Sequence, residues 1–165
     1  MSDRVYRIFI INPGSTSTKL SLFENRKNVF TTDVFHDSSV LLTFPTINDQ
    51  LEYRMKVIHE FLEEDHIDMR GIDAVVGRGG GCYAVPGGIY EVDEKLIEDT
   101  RALKGGLYHA SMLGVQMAAE IRMQPSFMLS RLSAASSPTL IPVWNIRINP
   151  SPLISCSFQR WSTII

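Results

Sequence analysis

A polar stretch near the N-terminus combines the groups that proteins use to bind phosphate. The tripeptide Asn12-Pro13-Gly14 interrupts an apolar run, as turn-forming residues do. Beyond it, hydroxyl and ammonium groups recur at every second position, at Ser15, Ser17 and Lys19. Side chains at this spacing share one face of an extended chain. Glycine lets backbone N–H groups approach an anion, hydroxyls donate to its oxygen atoms, and lysine supplies charge. Residues 12–19 therefore predict a phosphate cradle.

The same stretch is compatible with a plain β-hairpin that has a polar outer face, because serine and threonine are common in strands and turns. It does not match two other phosphate motifs. A Walker A loop has a second glycine before its lysine and a hydroxyl residue after it, whereas Leu20 follows Lys19. A dinucleotide fingerprint opens a helix, whereas Leu20, Leu22 and Phe23 continue as a strand. A Rossmann-type cofactor-binding domain is therefore disfavoured.

A second candidate site is a single arginine among glycines. The apolar run 72–76 reads as a buried strand and leads into Gly77-Arg78-Gly79-Gly80-Gly81. One interpretation is a flexible loop with a solvated arginine. The other is an arginine fixed at a strand end, where small neighbours admit an anionic ligand and the planar guanidinium binds its oxygens in pairs. If strands 8–11 and 72–76 are parallel neighbours, Asn12 and Arg78 lie at the same edge of the sheet.

Hydrophobic periodicity predicts the elements that must position these groups. We expect an α/β domain over residues 1–123, with a mixed sheet whose first strands are antiparallel. The predicted strands are 5–11, 16–24, 29–35 and 72–76, and the predicted helices are 50–65, 94–103 and 108–122. The helix at 50–65 is the crossover that makes 72–76 parallel to the first strand. Residues 36–45 are predicted to be a loop and residues 86–90 a turn.

Composition and charge are those of a globular protein. The chain has 165 residues, of which 44% are hydrophobic and 21% charged, and its net charge is −2. No basic cluster points to nucleic acid, no apolar run is long enough to cross a bilayer, and no signal-peptide pattern opens the chain. The two cysteines, Cys82 and Cys156, have no metal-ligand spacing and imply no disulfide framework. We therefore expect a cytoplasmic protein without nucleic-acid or membrane partners.

The composition changes abruptly after residue 123. All 18 Asp and Glu residues precede this point, and the segment 124–165 contains nine serines, five prolines and both tryptophans. Neither a period of two nor a period of 3.6 is visible in it, and prolines interrupt each run. We expect residues 129–165 to have little regular structure and few contacts with the preceding domain.

Several motifs together resemble the acetate and butyrate kinase family. The stretch Asn12-Pro13-Gly14-Ser15-Thr16-Ser17-Thr18-Lys19 resembles its first phosphate motif, and the proline favours the butyrate kinase branch. Val75-Val76-Gly77-Arg78-Gly79-Gly80-Gly81 is similar to its strand-end arginine motif, and Pro86-Gly87-Gly88-Ile89-Tyr90 also resembles butyrate kinases. His109-Ala110-Ser111 resembles a helix start that reads His-Ala-Ser-Asn, with Met112 in place of the asparagine. The resemblance covers residues 5–127 and implies an actin-like, RNase H-like fold.

The resemblance also implies a reaction, in which ATP phosphorylates butanoate or a related short or branched fatty acid to give acyl phosphate and ADP. It assigns phosphate binding to Asn12, Gly14, Ser15, Ser17 and Lys19, and a Mg²⁺ contact through water to Asn12. Arg78 would be the catalytic residue, holding the carboxylate and the transferred phosphoryl group; Gly79, Gly80 and His109 would border the substrate. The implied cofactors are ATP and Mg²⁺. The implied partners are a short-chain carboxylate and, for a full-length protein, further copies of the chain.

The resemblance stops within the chain. In the family, a strand that begins Pro-Ala-Phe and carries an active-site aspartate follows the last helix, and Pro125-Ser126-Phe127 resembles its first residues. The abrupt end of the match suggests a frameshift near Phe127 or Met128, with a divergent tail as the alternative, and the coding DNA distinguishes them. We expect a fragment with weak or no activity. The alternatives are a non-catalytic actin-like half-domain that acts as a binding module, and a relative of acetate or propionate kinases.

Overall fold

The fold is a mixed six-stranded sheet with helices packed against it. The computed structural model describes residues 4–79, 82, 88–106, 108–123 and, for the backbone, 143–147. The strands are β1 (Arg7–Pro13), β2 (Ser17–Glu24), β3 (Lys27–Phe35), β4 (Ala74–Gly79), β5 (Gly88–Glu91) and β6 (Val143–Arg147). The helices are α1 (Ser38–Leu41), α2 (Gln50–Glu64), α3 (Glu94–Arg101) and α4 (Leu113–Met123), with a 3₁₀ turn at Ala110–Met112. The strand order is β3-β2-β1-β4-β6-β5.

The first three strands form an antiparallel meander. Asn12 of β1 lies opposite Lys19 of β2, and Lys19 lies opposite Asp33 of β3. Burial alternates along β2, with Thr18, Leu20 and Leu22 buried and Ser17, Lys19 and Ser21 half-buried. This period of two is the one the sequence shows, because each strand residue turns its side chain to the opposite face from its neighbour. The predicted antiparallel first strands are confirmed.

Helix α2 carries the chain across the sheet to β4, which lies parallel to β1 with Ile11 opposite Gly77. The predicted crossover is confirmed. The strand itself runs over Ala74–Gly79 and not over residues 72–76, so Arg78 lies within β4 and not beyond its end. The physical reason is pairing: Gly77, Arg78 and Gly79 all have partners in β6, and this ladder overrides the poor strand propensity of glycine.

The core forms where α2 and α4 meet the sheet. Its buried members include Phe9, Ile11, Leu20, Leu22 and Val75 from the strands, Met55, Ile58 and Leu62 from α2, and Leu113, Met117 and Ile121 from α4. Removing each of these side chains from water contributes about 1.5–3 kcal/mol. The packing of α2 and α4 against the sheet fixes the positions of β1 and β4, the two strands that carry Asn12 and Arg78.

Helix α4 approaches β4 through a glycine-to-glycine contact. A Cβ atom on Gly77 would lie 2.1 Å from the carbonyl oxygen of Gly114, and a Cβ atom on Gly114 would lie 2.1 Å from the carbonyl oxygen of Arg78. Any side chain at either position would collide with backbone. Gly77 therefore serves helix packing, and since it faces α4, the side chain of its neighbour Arg78 projects from the opposite face of the sheet.

Two short elements replace segments that were predicted to be irregular. Helix α1 lies within the predicted loop 36–45, and the Asp37 side chain caps it by accepting from the Ser39 N–H at 2.8 Å. A helix of four residues is too short for periodicity to reveal. Strand β5 occupies Gly88–Glu91, where a turn over 86–90 was predicted, because it pairs with β6. Residues 86 and 87 lie outside the described residues.

Strand β6 corrects the prediction for the C-terminal segment. It pairs in parallel with β4 and antiparallel with β5, inside the sheet. The expectation of little structure and few contacts is therefore wrong for Val143–Arg147, while the rest of 124–165 lies outside the described residues. Pro142 and Pro150 bound a run rich in β-branched and aromatic residues, a strand-length signal that the average composition of the segment concealed.

Candidate phosphate- and carboxylate-binding site

Four polar residues occupy neighbouring positions on β3, β2, β1 and β4; we call Asp33, Lys19, Asn12 and Arg78 the polar row. Lys19 Nζ lies 2.7 Å from Asp33 Oδ2. At the other end, Arg78 Nη1 donates to Asn12 Oδ1 at 3.1 Å. Asn12 and Lys19 are direct cross-strand partners, so their side chains share a face. The row lies near the carboxyl ends of the parallel strands β1 and β4, where open α/β sheets bind ligands.

The turn before β2 presents the two serines differently. The Gly14 N–H donates to the Ser17 carbonyl at 2.7 Å, and a Cβ atom on Gly14 would lie 3.2 Å from that oxygen, so the turn is tight. Ser17 is half-buried at the first position of β2, on the face that carries Lys19. Ser15 is exposed within the turn itself. It therefore does not share the strand face with Ser17 and Lys19, because the turn and not an extended chain sets its direction.

The three residues proposed to border the substrate are less closely gathered. Gly79 is the buried last residue of β4, and Gly80 lies outside the described residues. His109 is exposed, and its Nδ1 accepts from the Ser111 N–H at 3.1 Å, which caps the 3₁₀ turn before α4. Among the described residues, the hydrogen bonds of the His109 side chain are to Ser111 and none joins it to the polar row.

Arg54 is a residue of the site that sequence reasoning missed. It is fully buried on α2, and its guanidinium donates to the carbonyl oxygens of Gly14 at 2.9 Å and Ser15 at 2.6 Å, and to Gln50 Oε1 at 3.1 Å. Burial lowers the pKa of Arg54 to about 10. A signal was present: Arg54 falls on the apolar stripe of α2, beside Met55 and Ile58, where a charged residue is unusual.

His36 and Asp33 were also missed. His36 is buried, with its Nε2 2.8 Å from Thr18 Oγ1 on the core face of β2. Burial, followed by the positive charge of Arg54, lowers the pKa of His36 to about 4, so the imidazole is neutral at pH 7. Asp33 could be linked to Lys19 only through the register of β2 and β3, which hydrophobic alternation alone leaves free to shift by two residues.

The metal role suggested for Asn12 can be compared with the metal-binding side chains of the described residues. Within the described part of the chain, no group of three or more His, Cys, Asp or Glu side chains could hold a metal ion. Asn12 Oδ1 instead accepts the hydrogen bond from Arg78. Over the same residues, no helix combines the length and the apolar character needed to cross a membrane.

Comparison with known proteins shows which proteins the chain is similar to. No protein-family model matches the chain. The chain is 40% identical over 117 residues to butyrate kinase 1 of Clostridium acetobutylicum, an alignment that covers 71% of this chain and 33% of that protein. It is 40% identical over 116 residues to butyrate kinase 2 of the same organism, which covers 70% of this chain and 32% of that protein.

Among solved structures, acetate kinase from Entamoeba histolytica is similar over 86% of this chain and 34% of its own, with 16% identity and a TM-score of 0.45. The chain spans about a third of the length of the butyrate kinases it matches. Over the aligned residues, it belongs to the acetate and butyrate kinase family, of which it carries the N-terminal part.

Proposed function

We propose that the polar row and the Gly14 turn form the phosphate- and carboxylate-binding half of a carboxylate kinase site. The reaction is transfer of the γ-phosphoryl group of ATP to butanoate, or to a related short or branched fatty acid, giving acyl phosphate and ADP. The observation that carries the proposal is the 3.1 Å hydrogen bond from Arg78 to Asn12. It joins Arg78, within β4, to Asn12, the residue that opens the Gly14 turn, although 66 positions separate them in sequence.

The roles follow from what phosphoryl transfer requires, which is alignment of two substrates and stabilisation of charge. Asn12, Ser15, Ser17 and Lys19 bind phosphate oxygens from the β1–β2 side. Arg78, half-exposed on β4, holds the carboxylate and the transferred group with its planar fork. Mg²⁺ bound with ATP would neutralise phosphate charge, and the Asn12 amide would hold it through a bound water.

The residues present fit an anionic ligand. Lys19 and Arg78 bring two cations to one face of the sheet, and within the polar row only Asp33 opposes them. Asp33 pairs with the lysine at the end of the row away from Arg78, so the Asn12–Arg78 end keeps its positive charge for the transferred group.

The function is tested by two measurements on the purified chain. Calorimetry measures binding of ATP and of butanoate, and hydroxylamine traps any acyl phosphate formed from both. Butanoate-dependent hydroxamate supports the kinase, and acetate or propionate as the better acceptor places the chain nearer those kinases. ATP binding without butanoate binding or hydroxamate favours the binding-module alternative, whereas binding of both substrates without hydroxamate is the result expected of a kinase fragment with weak or no activity. Absence of binding and of hydroxamate contradicts the proposal.

Arg78→Lys tests the role of the fork. Lysine keeps the charge but loses paired hydrogen bonds, so we expect butanoate affinity to fall about tenfold to a hundredfold, the equivalent of about 1.5–3 kcal/mol. The free energy of unfolding should change by less than about 1 kcal/mol, because the side chain is not buried. Arg70→Lys is the matched control, since Arg70 is exposed and lies before the other end of β4. If both variants lose butanoate affinity equally, or if Arg78→Lys loses none, then Arg78 is not part of the site.

A further inference from the structure

Arg54 is a buried cation whose described partners are all uncharged. Its side chain is 0% exposed, and its donors go to two backbone carbonyls and one amide oxygen. No carboxylate among the described residues forms an ion pair with it. Burying a charge without an opposite charge is costly, so a residue kept in this state is expected to have a role beyond filling the core.

Peptide geometry shows what the two carbonyl contacts do. In a planar trans peptide, the carbonyl of one residue and the N–H of the next point in opposite directions. Because the carbonyls of Gly14 and Ser15 point at Arg54, the N–H groups of Ser15 and Thr16 point away from it. Both residues are exposed, and neither N–H has a hydrogen-bond acceptor among the described residues. Successive N–H groups on one side of a turn form an anion-binding concavity.

We propose that Arg54 is a positioning residue that fixes these two peptide groups, so that the N–H groups of Ser15 and Thr16 face a phosphate oxygen of the ligand. Its unneutralised charge adds to the attraction for that anion from the buried side of the turn. This rests on the proposed function, because it specifies how the same site binds phosphate. It also explains why α2 carries a guanidinium on its apolar stripe: the planar fork donates to two adjacent carbonyls from two nitrogen atoms in a fixed geometry.

The first test needs no ligand. Nuclear magnetic resonance of the full chain reports the amide shifts and hydrogen exchange of Ser15 and Thr16 in Arg54→Lys and Arg54→Met. We expect both amide resonances to shift in both variants, because the guanidinium that holds the two carbonyls is replaced; their hydrogen exchange should stay fast, since both residues are exposed and neither N–H has a described acceptor. Lys56→Met is the control, since it removes a cation from the exposed face of the same helix. Unchanged Ser15 and Thr16 amides in both Arg54 variants overturn the proposal.

The second test separates charge from geometry. Gln50→Glu places a carboxylate beside the guanidinium, where the Gln50 oxygen already accepts from Arg54. We expect the Ser15 and Thr16 amide shifts to stay close to those of the wild type, while affinity for ATP and for inorganic pyrophosphate falls about tenfold. Lys56→Met should change either affinity less than twofold. If Gln50→Glu binds ATP and pyrophosphate as tightly as the wild type, the charge of Arg54 does not contribute to anion binding.

The outcomes distinguish this proposal from the proposed function. If Arg54→Met does not fold, Arg54→Lys and Gln50→Glu decide, since both keep a cation at residue 54. If the wild-type chain binds neither ATP nor pyrophosphate but the amides move in Arg54→Lys, the turn is oriented by Arg54 and the kinase proposal fails. If ATP binds and no Arg54 variant alters the amides or the affinity, the kinase proposal stands and the positioning role fails.

Discussion

Two arginines reach the Gly14 turn region from different elements, and they differ in burial and in partner. Arg78 comes from β4, is half-exposed and donates to the Asn12 amide oxygen. Arg54 comes from α2, is fully buried and donates to backbone carbonyls. A group that must bind a changing ligand needs access to solvent, whereas a group that fixes a loop is best held rigidly by packing. The two environments therefore suit a ligand contact at Arg78 and a fixed support at Arg54.

Among single residues, His36 makes the stability of the fold depend on pH. Its pKa is about 4 in the folded protein, against 6.5 for an ordinary histidine, because it is buried and lies near Arg54. Between those values the unfolded chain binds a proton that the folded chain does not. Stability is therefore full above about pH 6.5 and falls as the pH drops towards 4, by a total of about 3 kcal/mol.

We expect His36→Gln to flatten this dependence, because glutamine keeps a polar group near Thr18 and does not titrate. The measurement is the free energy of unfolding in urea at several pH values between 4 and 6.5. The control is His66→Gln, since that side chain is exposed to solvent. An equally steep fall in wild type and His36→Gln would show that other groups cause it.

At the scale of elements, the sequence predicted the regular elements and the shared sheet edge of β1 and β4, but not the contacts that depend on helix docking or strand register. Alternation in β2 and the apolar stripe of α2 are local properties of the sequence, so their strands, helices and buried faces could be read directly. The meeting of Asn12 and Arg78 also followed, because parallel neighbouring strands end at one edge. Arg54 and Asp33 were missed because their partners depend on helix docking and strand register, which periodicity does not fix.

The glycines around Arg78 illustrate the same limit. The sequence suggested small residues that admit a ligand, but Gly77 faces α4 and touches Gly114. Gly77→Ala should therefore destabilise the fold by about 3 kcal/mol or more, since the new methyl group meets backbone that cannot move aside. Gly88→Ala is the matched control in another strand, because a Cβ atom there would make ordinary contact with Tyr90 at 3.6 Å. Denaturant unfolding compares them, and equal midpoints would contradict the close packing of α4 on β4.

At the scale of the whole molecule, the sheet is completed by residues far along the chain. β6 lies between β4 and β5, so the strand that carries Arg78 is bordered by β1 on one side and by β6 on the other. Composition predicted no such role for the segment after residue 123, because a strand of five residues contributes little to an average over the whole segment. Long-range pairing of this kind is decided by the edge that β4 offers, and a local sequence pattern carries little information about it.

The position of β6 between β4 and β5 leads to a prediction that separates backbone pairing from side-chain effects. Asn145 lies opposite Gly77 in β4 and Tyr90 in β5, so it occupies a central position of the ladder. Asn145→Pro removes the N–H and cannot be accommodated in a central strand, whereas Asn145→Ala removes the side chain and keeps the N–H. We expect hydrogen exchange followed by mass spectrometry to show faster exchange in β5 and β6 for the proline variant, with β1, β2 and β3 unchanged. The alanine variant should exchange like the wild type. If the two variants exchange alike, Val143–Arg147 is not paired inside the sheet, and Arg78 lies on an edge strand that is open to another partner.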